Sequence, residues 1–244
     1  MGWAIFGCLF AIDMVFAAMY IKFGHPKVTK KSYVYKLIAA GVFVLNGVIA
    51  YSFFNNSEFS KWVLVGLIFG CLGDIVIALE PFIKDDEKKK KRNTIAVTCG
   101  GVIFFIGHIF YIVAFVKELS RTSSFIPALY FGVVGGVIGL ALTFLLFRVK
   151  MGRFTVPIVI YAIAITSMFA LSLNVAVTNT TGGIFFKIAM IVAPLFFVIS
   201  DTTIVLRFFD KERFEVMPIR IVNLGTYFIA QMLFGLAIYL VNNN

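Results

Sequence analysis

The sequence predicts an all-α fold, a polytopic integral membrane protein whose 244 residues form a single bundle of eight transmembrane helices. Three observations carry that prediction. The chain is 61% hydrophobic and 14% charged, with mean hydropathy +0.98, whereas soluble domains devote about a quarter of their residues to charge. Eight apolar stretches can be drawn at 3–22, 36–54, 62–80, 95–116, 126–147, 156–177, 184–207 and 218–241, each near the ~20 residues that cross a bilayer. Finally, 18 of the 22 Lys and Arg fall on alternate connections. Nothing is left over for a separate soluble domain.

The first stretch lacks a basic leader and carries Asp13 in mid-span, so it reads as a retained helix and not a signal peptide. The second opens at Lys36 and contains Asn46. The third sets Gly66, Gly70, Gly73 and Ile77 beside Asp74, a small-residue face that lets a neighbour approach closely. Between the third and fourth, Lys84 to Arg92 with Asp85, Asp86 and Glu87 reads as a solvated loop that supports orientation, with contact to anionic headgroups as the lesser alternative.

The fourth stretch puts His108 and Tyr111 on one face with Phe104, and the fifth is an unbroken apolar run. The sixth carries Tyr161. The seventh aligns Met190, Pro194, Phe197 and Asp201, and Pro194 leaves the Met190 carbonyl without its usual helical partner. The eighth spaces Asn223, Tyr227 and Gln231 four apart, one polar stripe that should face the bundle because lipid cannot satisfy it. Cys8, Cys71 and Cys99 each sit in an apolar run and read as small core residues without a disulfide framework.

A net charge of +10 would suggest nucleic acid in a soluble protein, but here the sidedness of the charge is what informs. The connections after the first, third, fifth and seventh stretches hold the basic residues, and only Lys61, Lys117, Arg121 and Lys187 lie on the other side. The positive-inside bias therefore puts both termini outside and predicts an even number of crossings. The partner this implies is a lipid bilayer, with no nucleic acid.

Ionisable groups inside spanning helices usually mark function. With a rise of ~1.5 Å per residue, Asp74 and Asp201 each lie roughly 9 Å from the cytoplasmic helix end and Asp13 roughly 13 Å. Asn46, His108, Tyr161, Tyr227 and Gln231 fall in the same zone and make a polar layer. A carboxyl can serve merely as interhelical glue, and His108 merely as a donor to a carbonyl. Two carboxyls at one depth instead suit acid and base work, since neighbouring buried carboxyls do not both ionise readily.

Other chemistries lack their signatures. There is no His-Glu-x-x-His and no cysteine pair at zinc spacing, so neither a metal nor a cofactor is expected. A Gly-x-Ser-x-Gly elbow and a phosphate loop are absent as well. An intramembrane aspartyl protease needs Tyr-Asp, Gly-x-Gly-Asp and Pro-Ala-Leu; the chain has Ser200-Asp201, Gly70-Cys71-Leu72-Gly73-Asp74 and no Pro-Ala-Leu. A proton-coupled transporter remains the alternative, because intramembrane carboxyls describe such carriers too.

Across nearly its whole length the chain resembles the YhhN-like lysoplasmalogenases. The resemblance rests on Lys36, Gly73-Asp74, Gly107-His108-x-x-Tyr111, Pro157-x3-Tyr161-x6-Met168, Ala193-x3-Phe197-x2-Ser200-Asp201 and Tyr227-x3-Gln231, in that order. Leu37 stands where the family often has proline, and Asp13 lies outside the pattern.

The resemblance implies hydrolysis of the vinyl ether of a lysophospholipid to a fatty aldehyde and a glycerophosphoethanolamine or glycerophosphocholine. Asp74 and Asp201 would be the catalytic pair. Lys36, His108, Tyr227 and Gln231 would be pocket residues by the same match, with the headgroup toward Lys36 and the basic loops, and the polar groups on neighbouring faces add Asn46, Tyr111 and Tyr161 to the expected pocket lining. The expected location is a bacterial plasma membrane, or the endoplasmic reticulum membrane in a eukaryote.

Overall fold

All eight apolar stretches are helical in the computed structural model, which describes residues 1–25, 28–79, 89–120, 126–147, 150–179 and 182–241. In chain order they are α1 (Gly2–Phe23), α2 (Lys30–Phe53), α3 (Glu58–Ala78), α4 (Lys89–Leu119), α5 (Ile126–Phe147), α6 (Thr155–Thr178), α7 (Ile184–Phe209), the short α8 (Lys211–Phe214) and α9 (Met217–Leu240). A 3-10 turn at Gly152–Phe154 leads into α6.

Among the described residues, seven helices are long and apolar enough to cross a membrane, which makes this a multi-pass integral membrane protein. Those seven are α1, α2, α3, α4, α6, α7 and α9, and α5 is the remaining long apolar helix. The eighth crossing is therefore an expectation that α5 alone decides.

Three helices start well ahead of the sequence reading, α3 at Glu58 and, by six residues each, α2 and α4, and all three starts move charge into helices. Thr29 caps α2 by accepting from the Ser32 N–H, and Ser32 Oγ accepts from the Thr29 N–H in return. This reciprocal box begins the helix at Lys30, so Lys36 stands almost two turns inside it and is buried. α4 likewise begins at Lys89, which draws the basic run up to Arg92 into a helix. Lys84 to Lys88, Lys27, Arg121 and Arg148 lie outside the described residues.

α9 occupies the centre, packing on α1, α2, α3 and α7, while α4 bridges α3 to α6 and α5 packs on α6. Its interior is aromatic: Phe43, Phe59, Tyr111, Phe115, Phe197, Phe228 and Phe234 are fully buried. The outer surface is equally apolar, with Val15, Leu45, Leu72, Val102, Ile138 and Val177 exposed. Such a belt suits lipid, where outward residues need no polarity. For the same reason Cys8 and Cys99 are exposed and Cys71 only half-buried, which corrects their reading as core residues.

Local polar bonds hold the ends together. Asn55 Nδ2 donates to the Val241 carbonyl, tying the α2–α3 turn to the end of α9. At Pro194 the helix α7 runs on unbroken, because the freed Met190 carbonyl accepts from Ser172 Oγ of α6. The expected orphan carbonyl thus has a partner on the neighbouring helix.

Candidate active site

Asp74 and Asp201 each sit in a separate hydrogen-bonded group, and one phenylalanine stands between the two groups. Around Asp74, α2 supplies Lys36, whose Nζ lies 2.9 Å from Oδ1. From α9, the Tyr227 hydroxyl donates to Oδ2 at 2.7 Å. Behind Tyr227, Gln231 Nε2 donates to its hydroxyl oxygen at 3.0 Å, and the Tyr111 hydroxyl donates to Gln231 Oε1 at 2.8 Å. Every proton in this chain points toward Asp74, an arrangement that fits an acceptor-only carboxylate.

The glycines of α3 make that chain possible. A Cβ at Gly66 would lie 2.5 Å from the Tyr111 ring, and one at Gly70 would run into Gln231 Nε2. The small-residue face predicted for this segment thus receives polar and aromatic side chains from α4 and α9.

Around Asp201, α6 supplies Tyr161, whose hydroxyl donates to Oδ2 at 2.6 Å. From α4, His108 Nε2 lies 3.1 Å from the same oxygen and 2.9 Å from the Tyr161 hydroxyl. His108 is buried, whereas the Asp201 side chain keeps 14% exposure against 3% for Asp74. Asp201 is the more reachable carboxyl of the two.

The groups meet through α4 and α7. His108 and Tyr111 leave α4 one turn apart toward different carboxyls, and the ring of Phe197 contacts both, with centroids 5.1 and 6.0 Å away. It also meets the Tyr227 ring at 5.8 Å. No hydrogen bond joins the two groups among the described residues, so a proton shared directly between the carboxyls is not the arrangement found.

The structure therefore brings Lys36, Asp74, Tyr111, Tyr227 and Gln231 into one network and His108, Tyr161 and Asp201 into another. Lys36, read from the sequence as facing the headgroup, is engaged by the Asp74 carboxylate and lies 5.6 Å from the Tyr20 ring. Asn46 is buried with neither amide atom hydrogen-bonded among the described residues, and it packs against Gly235.

Asp13 is buried, neither of its oxygens has a hydrogen-bond partner among the described residues, and it is close enough to Asp74 for the two to interact electrostatically. Sequence reasoning missed the hold on the α7–α9 contact. There Asn223 Nδ2 donates to the Ser200 carbonyl at 2.8 Å while Arg207 Nη1 donates to Asn223 Oδ1 at 2.7 Å. The polar stripe of α9 was its only signal.

No group of three or more His, Cys, Asp or Glu side chains that could hold a metal ion occurs among the described residues. The profile of the YhhN family matches residues 33–238, a span that contains both catalytic candidates. No curated protein and no solved structure matches the chain.

Proposed function

The chain belongs to the YhhN family, and on that premise we propose that it is a membrane lysoplasmalogenase working with two carboxyls in different roles. The observation that carries this reading is the contrast between their partners. Asp74 faces an ammonium and a tyrosine donor, and is the fixed anion. Asp201 faces His108 and Tyr161, groups among which a proton can move, and is the acid.

Vinyl ethers hydrolyse by proton addition to the carbon beta to oxygen. The electron pair of the double bond forms the new C–H bond, and positive charge spreads over the adjacent carbon and the ether oxygen. Asp201 supplies that proton, and Asp74 stabilises the cation as paired carboxyls do at glycosidic centres. Water adds to the cationic carbon and gives its proton back to the Asp201–His108 pair. The resulting hemiacetal then breaks its C–O bond to release fatty aldehyde and the glycerol hydroxyl. No cofactor enters this balance.

The transporter alternative would keep both carboxyls, but carriers with midplane sites usually interrupt their binding helices. α3 and α7 are continuous through Asp74 and Asp201. Release of fatty aldehyde from purified protein supplied with lysoplasmalogen tests the proposal. Movement of the lipid or of protons without aldehyde would favour the carrier.

A further inference from the structure

Arg220 is a buried cation whose hydrogen-bonding capacity the protein leaves unused. Its side chain is 5% exposed, and Nε and Nη2 have no hydrogen-bond partner among the described residues. Its nearest carboxylate is already engaged: Arg207 takes both oxygens of Glu215, at 2.7 and 3.1 Å, and Arg220 Nη1 reaches Oε1 only at 3.7 Å. Two guanidiniums thus share one carboxylate. A buried guanidinium with unpaired donors is unfavourable unless an anion completes it.

The surroundings fit a phosphate. The guanidinium lies over one side of the Tyr20 ring at 5.1 Å, and Lys36 Nζ lies 5.6 Å from the same ring. The missing Cβ of Gly24 lets the guanidinium come up to the end of α1, since a Cβ there would stand 2.5 Å from Arg220 Nη2. The adjacent His25 Nδ1 is buried and likewise has no hydrogen-bond partner among the described residues.

Position along α9 links this corner to both carboxyls. Asn223, which holds the Ser200 carbonyl beside Asp201, is one turn from Arg220. Tyr227, which donates to Asp74, is about 10 Å of helix rise away. In a lysophospholipid three carbons and one oxygen separate the phosphorus from the ether oxygen. A phosphate at Arg220 would therefore hold the ether within reach of the carboxyl groups.

We propose that Arg220 is the phosphate-binding residue of the site, with Tyr20 spacing the phosphate from the Lys36–Asp74 pair. The inference rests on the lysoplasmalogenase reading for the identity of the lipid, while the binding of a phosphate stands on Arg220 itself. Planar guanidinium groups suit phosphate oxygens because two N–H bonds can run parallel to one anion. Arg220 thus takes the headgroup role that the sequence reading gave to Lys36.

The test uses the purified full chain in detergent and three probes: an uncleavable 1-alkyl lysophospholipid, the 1-alkylglycerol with the same tail and no phosphate, and inorganic phosphate. Wild type is expected to bind the lysophospholipid more tightly than the alkylglycerol, with inorganic phosphate competing. Arg220→Gln is expected to weaken the lysophospholipid by roughly 10- to 100-fold, as for a lost hydrogen bond to a charged group, and to bring it level with the alkylglycerol. Arg220→Lys should fall between.

Equal binding of the two lipids by wild type, or an unchanged preference in the variants, overturns the proposal and leaves Arg220 a structural cation at the end of α1. Competition by inorganic phosphate for a site that lysophospholipid does not enter overturns it too. Should Arg220→Gln fail to fold, the wild-type preference and its reduction in Arg220→Lys decide the matter. If the binding pattern holds but the 1-alkenyl lipid yields no aldehyde, the enzyme reading fails and the phosphate site stands.

Discussion

Lys36 and Asp74 form an ion pair between α2 and α3, 2.9 Å from Nζ to Oδ1, with both side chains almost wholly buried. Removing one partner strands the other charge, which typically costs about 3–5 kcal/mol, whereas replacing both by apolar residues is often neutral. Asp74→Asn should therefore lose stability as well as activity. Lys36→Met combined with Asp74→Leu should regain a wild-type midpoint in thermal unfolding and stay inactive in aldehyde release. Activity in the stable double variant would remove Asp74 from the chemistry.

Among the described residues Asp201 faces His108 and Tyr161 and no ammonium, so its removal should separate activity from stability. Asp201→Asn is expected to unfold near the wild-type temperature and to turn over about 100- to 10,000-fold more slowly, the usual reach of acid–base assistance. His108→Gln should fall in the same range, and the two together should be little worse than either, because groups that act as a unit are not additive. Full additivity of the two losses would show that His108 and Asp201 act separately.

Asp13 marks the boundary of the proposed pair. It is buried near Asp74 but hydrogen-bonded to nothing among the described residues. Asp13→Asn should keep activity within about tenfold of wild type, since it would lose at most an indirect electrostatic contribution. An Asp13→Asn enzyme as inactive as Asp201→Asn would mean that the acid has been assigned to the wrong aspartate.

The helices were legible because each needs its own apolar length, and that is a local property. The stripe of Asn223, Tyr227 and Gln231 was legible because periodicity places it on one face, and all three are buried. What each residue touches was not legible. Lys36 reads as the first residue of its stretch because the Thr29–Ser32 box that starts its helix earlier carries little hydropathy signal. Its pairing with Asp74, and the division of two carboxyls by Phe197, arise from how α2, α3, α4 and α7 pack, which no single segment encodes. The outward Cys8 and Cys99 were misread because lipid-facing and core-facing positions share one composition.

Topology turns on α5. Single cysteines at Asn56 and Glu212, in a background with Cys8, Cys71 and Cys99 replaced by Ser, stand before and after it. If α5 crosses, an impermeant thiol reagent on intact cells should label the Asn56 variant and not the Glu212 variant, as the positive-inside bias expects. Both labelled, or neither, would mean that α5 does not cross and the bundle has seven spans.

Proton addition to carbon is the step on which the two carboxyl roles depend, and isotope incorporation reads it directly. Purified protein should be incubated with lysoplasmalogen in D2O and the aldehyde trapped as it forms. The expected product is a fatty aldehyde carrying one deuterium at its second carbon, formed more slowly than in H2O because the proton moves in the limiting step. Aldehyde without that deuterium would contradict carbon protonation and the acid role of Asp201.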